Sequence, residues 1–226
     1  MSVKETIKKI VDEQNPLVIC RRNKMRKALE NDTASFLCPN CIGGILFHDL
    51  GLQFRSPTVN TMMTQREFVK FVLNLDYYLA QELEFFDHPE HHFPCAKLDD
   101  VTIHFTHYHT KEEAEAKWKS RTVRLDRENL FVFATERDGL SEAEIRSMAD
   151  LKVRGLVVFT AKSYPDIPYA LQIPKYESDG EVGNILTKFW LDGSREYETY
   201  FDFVKWFNEA HGGPFDITPY KRENGR

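Results

Sequence analysis

The chain has 226 residues, of which 42% are hydrophobic and 29% charged, the balance of an ordinary folded globular protein, which excludes a disordered or fibrous one. That length favours one domain with a substantial buried core. A formal net charge of -5 excludes a general nucleic-acid binder, because neutralising phosphates needs a basic face.

In chain order, MSVKETIKKIVDEQNP is charged throughout, and the apolar run that follows, Leu17 to Cys20, is too short for a signal-peptide core or a membrane span. A cytoplasmic location without a transmembrane segment is therefore expected. Residues 1–34 read as an N-terminal helical arm and 35–226 as an α/β domain. The arm carries RRNKMRK, Arg21 to Lys27, with five basic residues. Such a run is ordinarily a solvated helix face, the alternative being peripheral contact with an anionic lipid or a pyrophosphate. The four cysteines, Cys20, Cys38, Cys41 and Cys95, read as free thiols or ligands rather than a disulfide framework, with Cys20 and Cys38 partly or wholly buried.

The segment ASFLC, Ala34 to Cys38, reads as a short buried strand stopped by Pro39, and Ile42 to Leu50 as a helix closed by Gly51. Three more helices are announced by a hydroxyl cap with Glu three residues on: Thr64 with Glu67, Thr110 with Glu113, and Ser141 with Glu144. The first runs through TQREFVKFVLNLDYYLAQEL with an apolar stripe at Phe68, Phe71, Val72, Leu75 and Leu79. VTIHF (Val101 to Phe105), LFVFA (Leu130 to Ala134), GLVVFTA (Gly155 to Ala161) and YALQI (Tyr169 to Ile173) read as strands, and YETYFDFVKWFNEA as a C-terminal helix. LFVFA and GLVVFTA are continuously apolar, the habit of parallel strands covered on both faces. The fold class is α/β, a three-layer α/β/α single domain with a mostly parallel sheet.

Ligands of open parallel sheets bind beyond the carboxyl ends of the strands, so residues following each strand are the site candidates. These are Pro39, Asn40, Cys41, Gly43 and Gly44, then Thr106, His107, Tyr108 and His109, then Glu136, Arg137, Asp138 and Gly139, and then Lys162, Ser163 and Tyr164. CPNC, Cys38 to Cys41, admits a redox pair or half a zinc site completed by His88, His91, His92 and Cys95. The preferred reading places Cys41 alone at a helix start, where the dipole stabilises a thiolate below the pH of a free cysteine, with an oxyanion cradle opened by Gly43 and Gly44. His107 is the expected base, because His48 lies two helical turns away, about 10 Å. His48 and Asp49 are expected to line the groove, fix the helix to the sheet, or serve as satisfied core groups. Glu136 and Asp138 could instead hold a divalent ion on a nucleotide sugar, with Arg137 or Lys162 neutralising phosphate; a surface turn with an ion pair explains the same trio.

The set Asn40-Cys41-Ile42-Gly43-Gly44, His48-Asp49-Leu50-Gly51, Ser56-Pro57-Thr58-Val59-Asn60, Lys97-Leu98-Asp99-Asp100, Arg137-Asp138-Gly139 and Phe203-Val204-Lys205-Trp206 resembles a bacterial family of unassigned function, commonly labelled exopolysaccharide biosynthesis protein. Cys38 and Pro39 depart from that pattern. Asn-Cys followed by glycine and a later His is similar, more loosely, to capsule-pathway proteins regarded as acyltransferases that bind coenzyme A. The resemblances imply a cytoplasmic transferase in exopolysaccharide or capsule biosynthesis, with a small-molecule donor such as a coenzyme A ester and a sugar or glycan acceptor. A glycosyltransferase using a nucleotide sugar and a divalent ion, or a non-catalytic sugar- or nucleotide-binding module, are the alternatives.

Overall fold

The computed structural model describes residues 14–222. Helix α1 (Pro16–Ala28) starts where Asn15 accepts the Leu17 N–H at 2.9 Å and proline occupies the first turn. Strand β1 (Ser35–Leu37) leads into α2 (Ile42–Leu50), which ends at Gly51 with φ +72°, the left-handed position where glycine costs least. Strands β5 (Leu130–Thr135), β6 (Gly155–Thr160) and β7 (Ala170–Gln172) join β1 in a parallel sheet of order β1-β5-β6-β7. Every residue of β5 and β6 is buried, as their unbroken apolar runs predict.

Burial at every position requires cover on both faces. Phe131 and Phe133 meet Phe203, Trp206 and Phe207 of α8 (Phe203–Glu209) on one side. Helix α3 (Gln65–Leu73) packs on β5 from the other. Phe36 of β1 sits at the centre, with Phe47 of α2 and Phe207 of α8 at ring separations of 6.2 and 5.6 Å. Gly155 is needed because a β-carbon there would lie 2.6 Å from Phe131 and 2.8 Å from Trp206.

VTIHF does not join the parallel sheet. Strand β4 (Val101–His104) pairs antiparallel with β3 (Cys95–Leu98), and β3 with β2 (Glu84–Phe86), in a separate three-stranded sheet. Its burial alternates between buried and half-buried, the pattern of a strand covered on one face. Strands β2 and β3 had no sequence signal strong enough to separate them from a loop.

Two long helices are broken. The stripe after Thr64 divides at Asn74, whose backbone leaves the helical region, giving α3 and a short α4 (Leu75–Leu79). The C-terminal helix divides at Phe201, which is extended and bridges Lys221, giving α7 (Glu196–Tyr200) and α8. Thr64 and Ser141 form complete reciprocal caps with their glutamates. Thr110 accepts the Glu113 N–H at the start of α5 (Lys111–Thr122), but the Glu113 carboxylate turns to the His109 N–H instead.

Candidate active site

CPNC is a turn locked by its first cysteine. Cys38 is buried; its sulfur accepts the Gly43 N–H at 3.1 Å and its thiol donates to the Asn40 carbonyl at 3.1 Å. Burial pushes this thiol up to about 12. Asn40 accepts the Ile42 N–H at 3.0 Å through its side chain. The first turn of α2 therefore spends two of its free donors on Cys38 and Asn40 rather than offering them as an anion cradle. The glycines also serve packing: a β-carbon on Gly43 would stand 2.8 Å from Cys38 Sγ, and one on Gly44 would stand 2.4 Å from Asn60 Oδ1.

Cys41 is the cap residue of α2 and is half-buried. Its Sγ lies 3.2 Å from His107 Nε2, within hydrogen-bonding reach for sulfur. His107 follows β4, in the other sheet, and a strap of chain brings the two together. Met62 and His104 exchange backbone hydrogen bonds at 2.8 and 2.9 Å, so the strap lies along β4. The next residue, Met63, donates its N–H to the Pro39 carbonyl at 3.0 Å, two residues before Cys41.

Buried polar groups fix the strap. Ser56 and Thr58 hydroxyls bond each other at 3.0 Å, Thr58 Oγ1 accepts the Cys38 N–H at 3.3 Å, and Thr61 donates to the Thr58 carbonyl at 2.9 Å. The Val59 carbonyl accepts from Tyr108 OH at 3.0 Å and from buried Arg121 at 2.8 Å. Tyr108 and Arg121 also bond each other. Tyr108 thus holds the strap. Asn60 takes a left-handed φ of +63°, which an asparagine tolerates better than most side chains.

The electrostatics differ from expectation. Burial raises the Cys41 thiol above its ordinary value, and the Thr106 hydroxyl works in the opposite direction. Burial therefore works against a preformed thiolate at this position. Thr106 Oγ1 is buried without a well-aligned hydrogen bond. Met62, Met63 and Thr58 were missed as site components; Ser56-Pro57-Thr58-Val59-Asn60, rich in turn-forming residues, was their signal.

The remaining candidates have partners other than Cys41 and His107. Glu136 is buried and accepts the Ala161 and Lys162 N–H groups at 2.8 and 3.0 Å and the Tyr164 hydroxyl at 2.6 Å, tying the loop after β6 to the end of β5. Lys162 is exposed, its Nζ 3.7 Å from Glu136. Asp138 turns to the Gln65 N–H at the start of α3, and exposed Arg137 lies 3.5 Å from it. Glu136 and Asp138 thus serve different backbone donors and do not converge on a shared ion.

His48 is exposed near the other end of α2, with Nδ1 3.4 Å from Asp49 Oδ1, and is not a core histidine. Asp49 is buried and fixes α1 to α2, pairing with Arg21 at 2.6 Å and Arg22 at 2.8 Å. Arg26 donates to the Asp49 and His48 carbonyls at 2.9 and 3.1 Å. Arg21 and Arg22 of the basic run are therefore turned inward, while Lys24, Arg26 and Lys27 are exposed. Cys20, expected to be buried, is exposed on α1.

The zinc alternative separates in space. His88, His91 and Phe93 stack beside His104, whose Nδ1 lies 3.5 Å from Cys95 Sγ. Among the described residues, no group of three or more His, Cys, Asp or Glu side chains is arranged to hold a metal ion.

A family described as Domain of unknown function (DUF1919) matches residues 15–208 of this chain. The chain belongs to that family. The matched span of this DUF1919 member includes α1, both sheets, the strap and the Cys41–His107 pair. A relative from Haemophilus influenzae, described as an uncharacterized protein, is 37% identical over 206 residues, which is 91% of this chain and 98% of that protein. Among the described residues, no helix of this family member is long and apolar enough to cross a membrane.

Proposed function

We propose that the chain is a transferase in which Cys41 accepts an acyl group from an activated donor, a coenzyme A ester, and passes it to a hydroxyl of a sugar or glycan intermediate. The observation that carries this reading is the 3.2 Å approach of Cys41 Sγ to His107 Nε2. Sulfur attacks the donor carbonyl while the imidazole takes the thiol proton; collapse of the tetrahedral intermediate expels the coenzyme A thiolate, which leaves with that proton. The acceptor hydroxyl then attacks the thioester, His107 takes its proton, and the Cys41 thiol is regenerated with it. The raised thiol favours this general-base sequence over a standing ion pair. The sugar acceptor and a place in exopolysaccharide or capsule assembly rest on the family label that the sequence resembles.

The test is acid-quenched mass spectrometry of the full chain after mixing with a series of acyl coenzyme A esters. A mass increase is expected on the peptide carrying Cys41, absent in Cys41→Ser, slow to form in His107→Gln, and discharged by sugar or glycan acceptors. No adduct with any donor, together with a rise in melting temperature from a nucleotide sugar plus a divalent ion, would replace acyl by glycosyl transfer.

A further inference from the structure

Large apolar side chains left on a protein surface are usually scattered. Among the described residues nine are exposed, and five of them, Leu17, Ile19, Phe189, Trp190 and Leu191, belong to two segments in contact. The Asn15 side-chain amide donates to the Leu191 carbonyl at 3.1 Å, and Arg21 donates to the Asp192 and Gly193 carbonyls at 3.3 Å each. The turn closes on itself through Gly193 N–H to the Phe189 carbonyl at 3.0 Å. At its tip Trp190 is 84% exposed and Leu191 53%. Bracing this many contacts around an indole held out in water has no explanation in the packing of the chain itself.

The outer face of α1 extends the patch. Leu17, Cys20, Lys24 and Lys27 follow at helical spacing and all are exposed, while Val18 is buried and Arg21 and Arg22 turn inward. The helix PLVICRRNKMRKA contains no acidic residue. Nearby acids are engaged: Asp192 accepts from the Ser194 N–H and hydroxyl at 3.1 and 2.7 Å, and Glu198 pairs with Arg21 at 3.4 Å. In a chain of net charge -5, an apolar tip beside two outward lysines is a local exception.

A Trp-bearing apolar tip flanked by cations suits the interface of a bilayer, where indole rings settle at headgroup depth and lysines meet anionic lipid. A second copy of the chain fits less well, because two-fold pairing through α1 would set Lys24 and Lys27 against like charges. We propose that this patch docks the protein on an anionic membrane surface, Trp190, Leu191 and Leu17 entering the interface and Lys24 and Lys27 contacting headgroups. A groove of about 1180 Å³ opens beside it, lined by Lys24, Trp190, Asp202 and Lys205 among others, and docking sets that groove against the headgroup layer. The inference depends neither on Cys41 nor on acyl transfer.

The chain supplies its own reporter. Of its three tryptophans, Trp118 and Trp206 are 4% and 1% exposed, so acrylamide quenching reads Trp190. The full chain is mixed with phosphatidylcholine vesicles with and without phosphatidylglycerol. With phosphatidylglycerol, co-sedimentation, a blue shift and loss of quenching are expected, all weakening with salt. Lys24→Gln with Lys27→Gln should weaken binding on the order of fivefold per lysine. Trp190→Ala with Leu191→Ser should abolish it at an unchanged urea midpoint. Trp190 emission indifferent to both vesicles would overturn the proposal. So would binding that survives the Trp190 and Leu191 changes, or a dimer seen by light scattering that Trp190→Ala dissolves.

Discussion

Gly43→Ala should change the sign of its effect according to what stands at position 38. A β-carbon on Gly43 would lie 2.8 Å from Cys38 Sγ, roughly 1 Å inside the comfortable contact of about 3.5–4.0 Å for such atoms. The sulfur cannot step aside, since it is buried and bonded to both the Gly43 N–H and the Asn40 carbonyl. Overpacking of this kind costs about 1–3 kcal/mol, which for a chain of this length lowers Tm by roughly 2–12 °C. Cys38→Ala alone should cost about 1–2 kcal/mol, because the Gly43 N–H loses its acceptor. In the Cys38→Ala protein the obstacle is gone, and Gly43→Ala should then stabilise by up to about 1 kcal/mol through helix propensity. Urea unfolding of the four proteins, followed by far-ultraviolet circular dichroism with equal slopes, measures the cycle. Equal destabilisation by Gly43→Ala in both backgrounds would refute the assignment of Cys38 as the group that shapes this turn.

Alkylation of Cys41 should reach half its maximal rate above the pH of an ordinary free thiol, because burial raises it, and Thr106→Val should move the midpoint further up; a midpoint below that of free cysteine refutes this. Asp49→Asn should cost about 2–4 kcal/mol in urea unfolding by leaving Arg21 and Arg22 without their anion, and a loss under about 0.5 kcal/mol would show that α1 is held otherwise. Burial raises the Glu198 carboxyl above its unfolded value, so the folded state takes up that proton first. Its contribution is fully present below the unfolded value and is lost as pH rises through the folded one. The stability of the natural chain relative to Glu198→Gln should therefore improve as pH falls from neutral towards the carboxylate range, and a constant difference would contradict it.

The elements legible in the sequence are those whose signal is local. The unbroken runs LFVFA and GLVVFTA gave the central parallel pair, and hydroxyl–glutamate spacing gave three helix starts. Breaks at Asn74 and Phe201 were invisible because the apolar spacing continues across them. Membership of a sheet is not local either: VTIHF reads as a strand, but which sheet it joins depends on Cys95–Leu98, whose single outward lysine leaves little alternation to read. The same holds at the site. Cys41 and His107 were the expected pair and do meet, yet by a route that the sequence did not suggest, since they stand at the ends of strands in different sheets. Glu136 and Asp138 looked like ligands because carboxylates after a strand look alike whether they face a substrate or a backbone amide.

The position of the Cys41–His107 pair between two sheets has a physical consequence. Neither sheet alone fixes the distance: α2 carries Cys41 from the parallel sheet, and β4 carries His107 from the antiparallel one. The Ser56–Met63 strap is bonded to both, to Cys38 and Pro39 on one side and to His104 on the other. Its middle is anchored at the Val59 carbonyl by Tyr108 and Arg121, groups buried enough that their hydrogen bonds are expensive to leave unmade. Buried polar groups in the strap are thus accounted for without assigning them to a ligand: they hold Cys41 Sγ and His107 Nε2 at 3.2 Å across a boundary that hydrophobic packing alone would not register.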